Sequence, residues 1–225
     1  MIAGDPNARA QEDVTAAKPR GPRLDPFDAV LVFLIRLFCG TTSRFLCNVD
    51  DSKPRVYFAN HSSLLDFLVI WAVLPPAQRA ITRPAAARDY WAANPIRRFF
   101  AVTVFKATLI ERRHPSQEHN PLQDMLQVLD EGRSLIIFPE GTRGSGEEMG
   151  KFQSGLFHVC RERPAVEAIP IYLDNLSRIL PKGEVFPLPL LSRVVFGPPI
   201  SLQPGESRDQ FLGRAQLAVA ALETA

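Results

Sequence analysis

Large apolar residues crowd the stretch from Phe27 to Leu46, and its first thirteen positions, Phe27-Asp28-Ala29-Val30-Leu31-Val32-Phe33-Leu34-Ile35-Arg36-Leu37-Phe38-Cys39, read as helix. A membrane-crossing helix needs about 20 predominantly apolar residues. Asp28, Arg36 and Arg44 interrupt this run, so it spans poorly. A helix lying in a membrane interface is favoured, with Arg36 and Arg44 at headgroup level. A buried core helix and a spanning helix are the other two readings. Ahead of it, residues 1–26 are rich in Ala, Pro, Arg and acids and have no apolar period; they read as a disordered tail, with no secretory signal.

Beyond residue 50, short apolar runs alternate with longer periodic ones. Arg55 to Ala59 reads as a strand, and Leu64 to Leu74 as a helix stopped by Pro75-Pro76. Ala85 to Phe100 is expected to be helical with a break near Pro95, and Val102 to Ile110 to be a strand. Pro121 to Glu131 reads as a helix ended by Gly132, and Ser134 to Phe138 as a strand stopped by Pro139. A helix over Phe152–Arg163, strands over Val166–Leu173 and Arg193–Phe196, and a closing helix over Ser207–Leu222 complete the pattern. Strands separated by helices predict an α/β fold: a mostly parallel central sheet flanked by helices, with the N-terminal interfacial helix appended.

Composition changes this picture in two places. The net charge of +2 is too small to mark a nucleic-acid binder. Between residues 79 and 113, however, eight Arg or Lys (Arg79, Arg83, Arg88, Arg97, Arg98, Lys106, Arg112, Arg113) stand against two acids (Asp89, Glu111), which predicts a negatively charged partner. Paired Arg beside aromatic residues in Arg97-Arg98-Phe99-Phe100 fits an anionic membrane surface; solvated Arg beside core Phe is the other reading. The three cysteines, Cys39, Cys47 and Cys160, lack paired spacing, which favours a reducing cytosolic setting over a disulfide framework or a zinc site.

Three segments carry chemistry. Asn60-His61-Ser62-Ser63-Leu64-Leu65-Asp66 leaves a strand and opens a helix. An imidazole can take a proton from a hydroxyl near neutral pH, and a carboxylate can fix its tautomer. Positions five apart do not meet inside one regular helix, but they meet if His61 lies in the loop and Asp66 in the first turn, with Ser63 as N-cap. Ser63-Leu64-Leu65-Asp66 is equally a capping-box pattern in which Asp66 only caps. Next, Phe138-Pro139-Glu140-Gly141-Thr142-Arg143 follows an Ile-rich strand. Gly141 there allows close backbone approach, and Arg143 can grip a phosphate. Last, Arg112 is expected at the same sheet edge as His61 and Glu140, where α/β sheets place ligands.

The order Asn-His-x-x-x-x-Asp, an apolar run ending in Glu111-Arg112, Phe-Pro-Glu-Gly-Thr-Arg, then Ile169-Pro170-Ile171 resembles the glycerophospholipid acyltransferase family over roughly residues 50 to 200. The resemblance implies that His61 is the general base and Asp66 its orienting partner. It implies that Arg112 binds the acceptor's phosphate, that Glu140, Gly141, Thr142 and Arg143 complete the acceptor site, and that Pro170 shapes the acyl-donor side. Two departures stand out. Lys106 replaces the Gly that usually opens the second motif, and Phe152-Gln153-Ser154-Gly155 replaces Phe-Lys-x-Gly, with Lys151 as the candidate to supply the missing charge.

The chain reads as the tail (1–26), a membrane-associating helical segment (27–48) and a remainder (49–225) that the resemblance makes an acyltransferase domain. It implies acyl transfer from an acyl thioester, carried on acyl carrier protein or coenzyme A, to a lysophospholipid hydroxyl, foremost that of 1-acylglycerol-3-phosphate, giving phosphatidic acid. No metal or other cofactor is expected, and no nucleic acid. The expected place is the cytoplasmic face of the inner membrane, peripheral or monotopic. Alternatives are another acceptor such as a lyso-ornithine lipid, a non-catalytic lipid-binding protein, and a hydrolase. The last would need a nucleophile beside His61, and no Gly-x-Ser-x-Gly elbow is present.

Overall fold

The computed structural model describes residues 26–49, 51–87, 94, 108–110, 120–144, 146, 148–180, 188 and 190–225. Seven strands form one sheet: β1 (Thr41–Phe45), β2 (Arg55–Ala59), β3 (Thr82–Ala87), β4 (Thr108–Ile110), β5 (Ser134–Ile137), β6 (Glu167–Asp174) and β7 (Ser192–Phe196). Their order is β1-β7-β6-β2-β5-β3-β4. Every neighbouring pair is parallel except β6 with β7. The described helices are α1 (Pro26–Cys39), α2 (Asp66–Val73), α3 (Pro76–Ile81), α4 (Pro121–Asp130), α5 (Gly155–Glu162), α6 (Leu176–Ile179) and α7 (Arg208–Ala220), closed by a 3-10 turn (Ala221–Thr224). The mostly parallel α/β architecture expected from the pattern is the one observed.

Alternation along the strands builds two cores. Tyr57, Ala59, Ile136, Ile169 and Ile171 point to one face, where α1, α2 and α6 cover them. Val56, Phe58, Leu135, Ile137 and Ala168 point to the other, beneath α4, α5 and α7. Side chains of successive strand residues leave opposite faces, so a sheet covered on both sides needs apolar runs such as Val56-Tyr-Phe-Ala; with Arg55, which pairs with Asp51 and Glu167, β2 is buried at all five positions. β2 lies between β5 and β6, with Phe58 opposite both Ile137 and Pro170. Being parallel, these three strands send their following loops to one edge, and those loops build the site.

Several elements differ from the pattern-based expectation. The helix starting at Phe27 does not run on to residue 48. It ends at Cys39, and Thr41–Phe45 is an edge strand paired with β7, so these residues belong to the sheet. Thr82-Arg83-Pro84-Ala85-Ala86-Ala87, whose Ala-rich end reads as helix, is a strand parallel to β5 and β4; pairing on both sides overrides local propensity. The remainder of the expected 85–100 helix and positions 102–107 of the expected strand lie outside the described residues, Asn94 excepted. Gly132 ends α4 with φ +73°, as its position suggests.

Candidate active site

Asn60 fixes the loop that follows β2. Its side-chain amide donates to the Leu173 carbonyl (2.9 Å) and accepts from the Leu173 N–H (2.8 Å), so it extends the β2–β6 pairing past the end of the strand. His61 comes next, outside any helix. α2 begins at Asp66, with Leu65 as its N-cap residue and no side-chain cap. Ser63 is therefore not the N-cap; its hydroxyl instead accepts from the Leu65 N–H and donates to the Leu180 carbonyl. This one-turn offset brings the pair together: His61 Nδ1 lies 2.8 Å from Asp66 Oδ2.

Asp66 is fully buried, and the same Oδ2 accepts the backbone N–H of Ser62 (2.7 Å) and of Ser63 (2.9 Å). An oxygen already accepting two bonds has His61 Nδ1–H as its third donor. That assigns the imidazole tautomer and leaves Nε2 as the basic nitrogen. Asp66 thus braces the loop and orients His61 at once, and the capping-box reading, which needed Ser63 as N-cap, does not hold. The imidazole stacks on Phe138 (centroids 4.1 Å, 17° between planes) and its side chain is 20% exposed. It is pinned on two sides and open to a substrate on a third.

Glu140 acts on the other side of the same loop. One carboxylate oxygen accepts the His61 N–H (2.7 Å) and the other the Gly150 N–H (2.9 Å), and the residue is 8% exposed. Each such charge-assisted bond contributes about 1.5–3 kcal/mol. Glu140, expected among the acceptor ligands, has both oxygens committed to backbone, so it clamps the catalytic loop to the strap that follows. That strap approaches closely at its described glycines, Gly144, Gly146 and Gly150. Gly144 N–H donates to the His61 carbonyl (2.8 Å), and an added Cβ would collide with Ser177 Oγ at Gly146 and meet Glu140 Oε2 at 2.8 Å at Gly150. Gly141 serves differently from the expectation. Its nearest neighbour would be Gln153 Cγ at 3.5 Å, and glycine is needed there for a φ of +75°.

Thr142 and Lys151 are exposed and Arg143 is half-buried, in the segment beside the clamp. Pro170, expected on the acyl-donor side, lies within β6 with its ring toward Gly197, where an added Cβ would meet it at 2.9 Å; strand alternation turns it to the face Leu222 also covers. Arg112 and Lys106 lie outside the described residues, as do Arg97, Arg98, Phe99 and Phe100. Two of the eight basic residues counted toward an anionic partner are internal. Arg79 donates to the carbonyls of Trp71, Ala72 and Leu74 at the end of α2, and Arg83 to those of Ala80 and Thr82. Burial, and next to it the charge of Arg36 for Arg79 and of Arg133 for Arg83, lowers the pKa of both, while carbonyl dipoles satisfy their donors. Burial also pushes the thiols of Cys39 and Cys160 up to about 11 and about 12, which makes them poor nucleophiles.

A family model described as Acyltransferase matches residues 41–174, which include the β2 and β5 loops just described. The chain is 28% identical over 134 residues to a chloroplastic 1-acyl-sn-glycerol-3-phosphate acyltransferase of Arabidopsis thaliana, covering 60% of this chain and 35% of that one. It is 30% identical over 156 residues to the alpha 1-acyl-sn-glycerol-3-phosphate acyltransferase of Mus musculus, covering 68% of this chain and 52% of that one. The matched part thus spans about a third to a half of these curated relatives (35% and 52%). The crystal structure of the 1-acyl-sn-glycerophosphate acyltransferase PlsC of Thermotoga maritima superposes with a TM-score of 0.66 at 16% identity, covering 87% of this chain and 79% of that one; it shares the fold.

Proposed function

We infer, from the premise that this chain belongs to the glycerophospholipid acyltransferase family, that it acylates the free hydroxyl of a lysophospholipid from an acyl thioester. The acceptor we propose is 1-acylglycerol-3-phosphate, the donor an acyl chain on acyl carrier protein or coenzyme A, and the product phosphatidic acid. The names of the relatives support that acceptor. The observation that carries the reading is the 2.8 Å contact of His61 Nδ1 with buried Asp66, which assigns the proton to Nδ1 and leaves Nε2 as the accepting nitrogen of a side chain 20% exposed.

The residues then act as follows. The acceptor hydroxyl donates its proton to His61 Nε2 as its oxygen attacks the thioester carbonyl carbon. The tetrahedral intermediate collapses, the C–S bond breaks, and the departing thiolate takes the proton from Nε2. Asp66 holds the imidazole and steadies its protonated form. Glu140 and Phe138 keep the ring in register, and general-base assistance of this kind is worth about 10²–10⁴-fold. Arg112, Thr142, Arg143 and Lys151 remain the candidate acceptor ligands, and the cytoplasmic membrane face the proposed place of work. Among the described residues no helix is long and apolar enough to cross a membrane. α1, at 14 residues, supports interfacial seating.

The test is thioester consumption by purified protein with and without acceptor, using both donor types. Acceptor-dependent thiol release that His61→Ala abolishes is expected. Release of equal rate without acceptor would make the protein a thioester hydrolase, and release unaffected by His61→Ala would remove the dyad from the chemistry.

A further inference from the structure

Eight of the ten large apolar side chains exposed among the described residues fall in two segments: Val30, Phe33, Leu34, Leu37 and Phe38 on α1, and Leu188, Leu190 and Leu191 before β7. The α1 set recurs at i, i+3, i+4, i+7 and i+8, one face of a helix. The opposite face, Val32, Ile35 and Cys39, is already buried in the core. Packing inside the molecule therefore explains only half of this helix. The two segments adjoin: an added Cβ at Gly40, the residue after α1, would lie 2.9 Å from Leu191 Cδ2, and Ser192 Oγ donates to the Cys39 carbonyl.

We propose that Leu188, Leu190 and Leu191 form a second membrane-inserting element that continues the outer face of α1, with an anionic phospholipid bilayer as its occupant. Monomeric proteins rarely leave so many large apolar side chains side by side. The rim favours a lipid surface: Arg36 on α1 and Arg178, beside the Ile179 that accepts from Leu188, are exposed, as suits anionic headgroups. The element also leads to the site. Leu188 N–H donates to the Ile179 carbonyl (2.7 Å), and the next carbonyl, that of Leu180, accepts from Ser63 Oγ on the His61 loop (3.2 Å). A bilayer seated on these leucines lies one short segment from the catalytic loop, so a lysolipid acceptor need not leave it far. This rests on the lipid-acylating reading above and adds the surface through which the acceptor arrives.

The experiment is co-sedimentation of the full chain with vesicles of phosphatidylcholine and phosphatidylglycerol, beside acyl transfer to a short-chain, monomeric lysolipid. Leu190→Asp with Leu191→Asp should weaken vesicle binding at least tenfold and leave transfer to the monomeric acceptor unchanged. Unchanged vesicle binding overturns the proposal, and does so even if gel filtration shows an altered oligomeric state, which would make the leucines a contact between copies of the chain. Transfer absent from the unaltered protein would instead count against the function reading. If the double variant misfolds, Leu191→Trp, at a side chain 73% exposed, decides. Vesicles brominated in the acyl chain should quench its added fluorescence, and unquenched emission overturns the proposal.

Discussion

Asp66→Asn separates the two duties of Asp66. One Asn oxygen can still accept the Ser62 and Ser63 amides, but Asn has its NH₂ to place at Asp66 Oδ1, a buried position with no hydrogen-bond partner. Turned over, it would present that NH₂ to the loop donors and the wrong tautomer would follow. We expect kcat to fall about 10²–10⁴-fold with the circular dichroism spectrum retained; normal kcat would leave Asp66 as a brace only. Glu140→Gln is expected to lower kcat about tenfold or more, because Gln accepts at one atom only and its NH₂ would face the N–H of His61 or Gly150, with little change in KM for either substrate. A rise in acceptor KM alone would restore Glu140 as a ligand. The His61–Asp66 pair was legible because the Asn-His-x-x-x-x-Asp motif is local, although its spacing alone left a capping role open and the family resemblance assigned the two roles. Glu140's clamp was not, since it joins positions 79 apart, and no spacing rule announces which backbone amides a carboxylate will meet.

At the scale of elements, polar residues at unexpected depth do much of the holding. Arg79 closes the end of α2 by donating to three carbonyls and lies 5.5 Å from the Trp71 ring centroid. Arg79→Met keeps the volume and leaves those carbonyls without donors. We expect thermal unfolding to show a loss of about 2–4 kcal/mol, with transfer kinetics unchanged below the transition; an unaltered midpoint would contradict the capping role. Long apolar elements such as β2, β5, β6 and α4 were readable from pattern alone. β1 and β3 were not. Thr41-Thr42-Ser43-Arg44-Phe45 sits at the sheet edge with its three central residues exposed, so it has no apolar period to read. In β3, Ala85 to Ala87 favour a helix locally, and only the partners β4 and β5 make them a strand. The helix expected from Phe27 onward stops at Gly40, whose φ of +48° turns the chain back into the sheet.

For the whole molecule, parallel β2, β5 and β6 direct three loops to one sheet edge, and Asn60, Glu140 and the glycine strap stitch those loops together around one imidazole. The acyltransferase signature was visible in sequence as two specific motifs; their convergence is a property of the sheet order, in which β2 and β5 are neighbours although 74 residues separate Ala59 from Ser134, the first residue of β5. The measurement that bears most directly on the account is mass-resolved product analysis after incubating the purified chain with 1-acylglycerol-3-phosphate and an acyl thioester. The account predicts a diacyl product heavier than the acceptor by the acyl group less one hydrogen, formed by the unaltered chain and absent with His61→Ala. Free fatty acid without the diacyl product, or the same diacyl yield from His61→Ala, would contradict it.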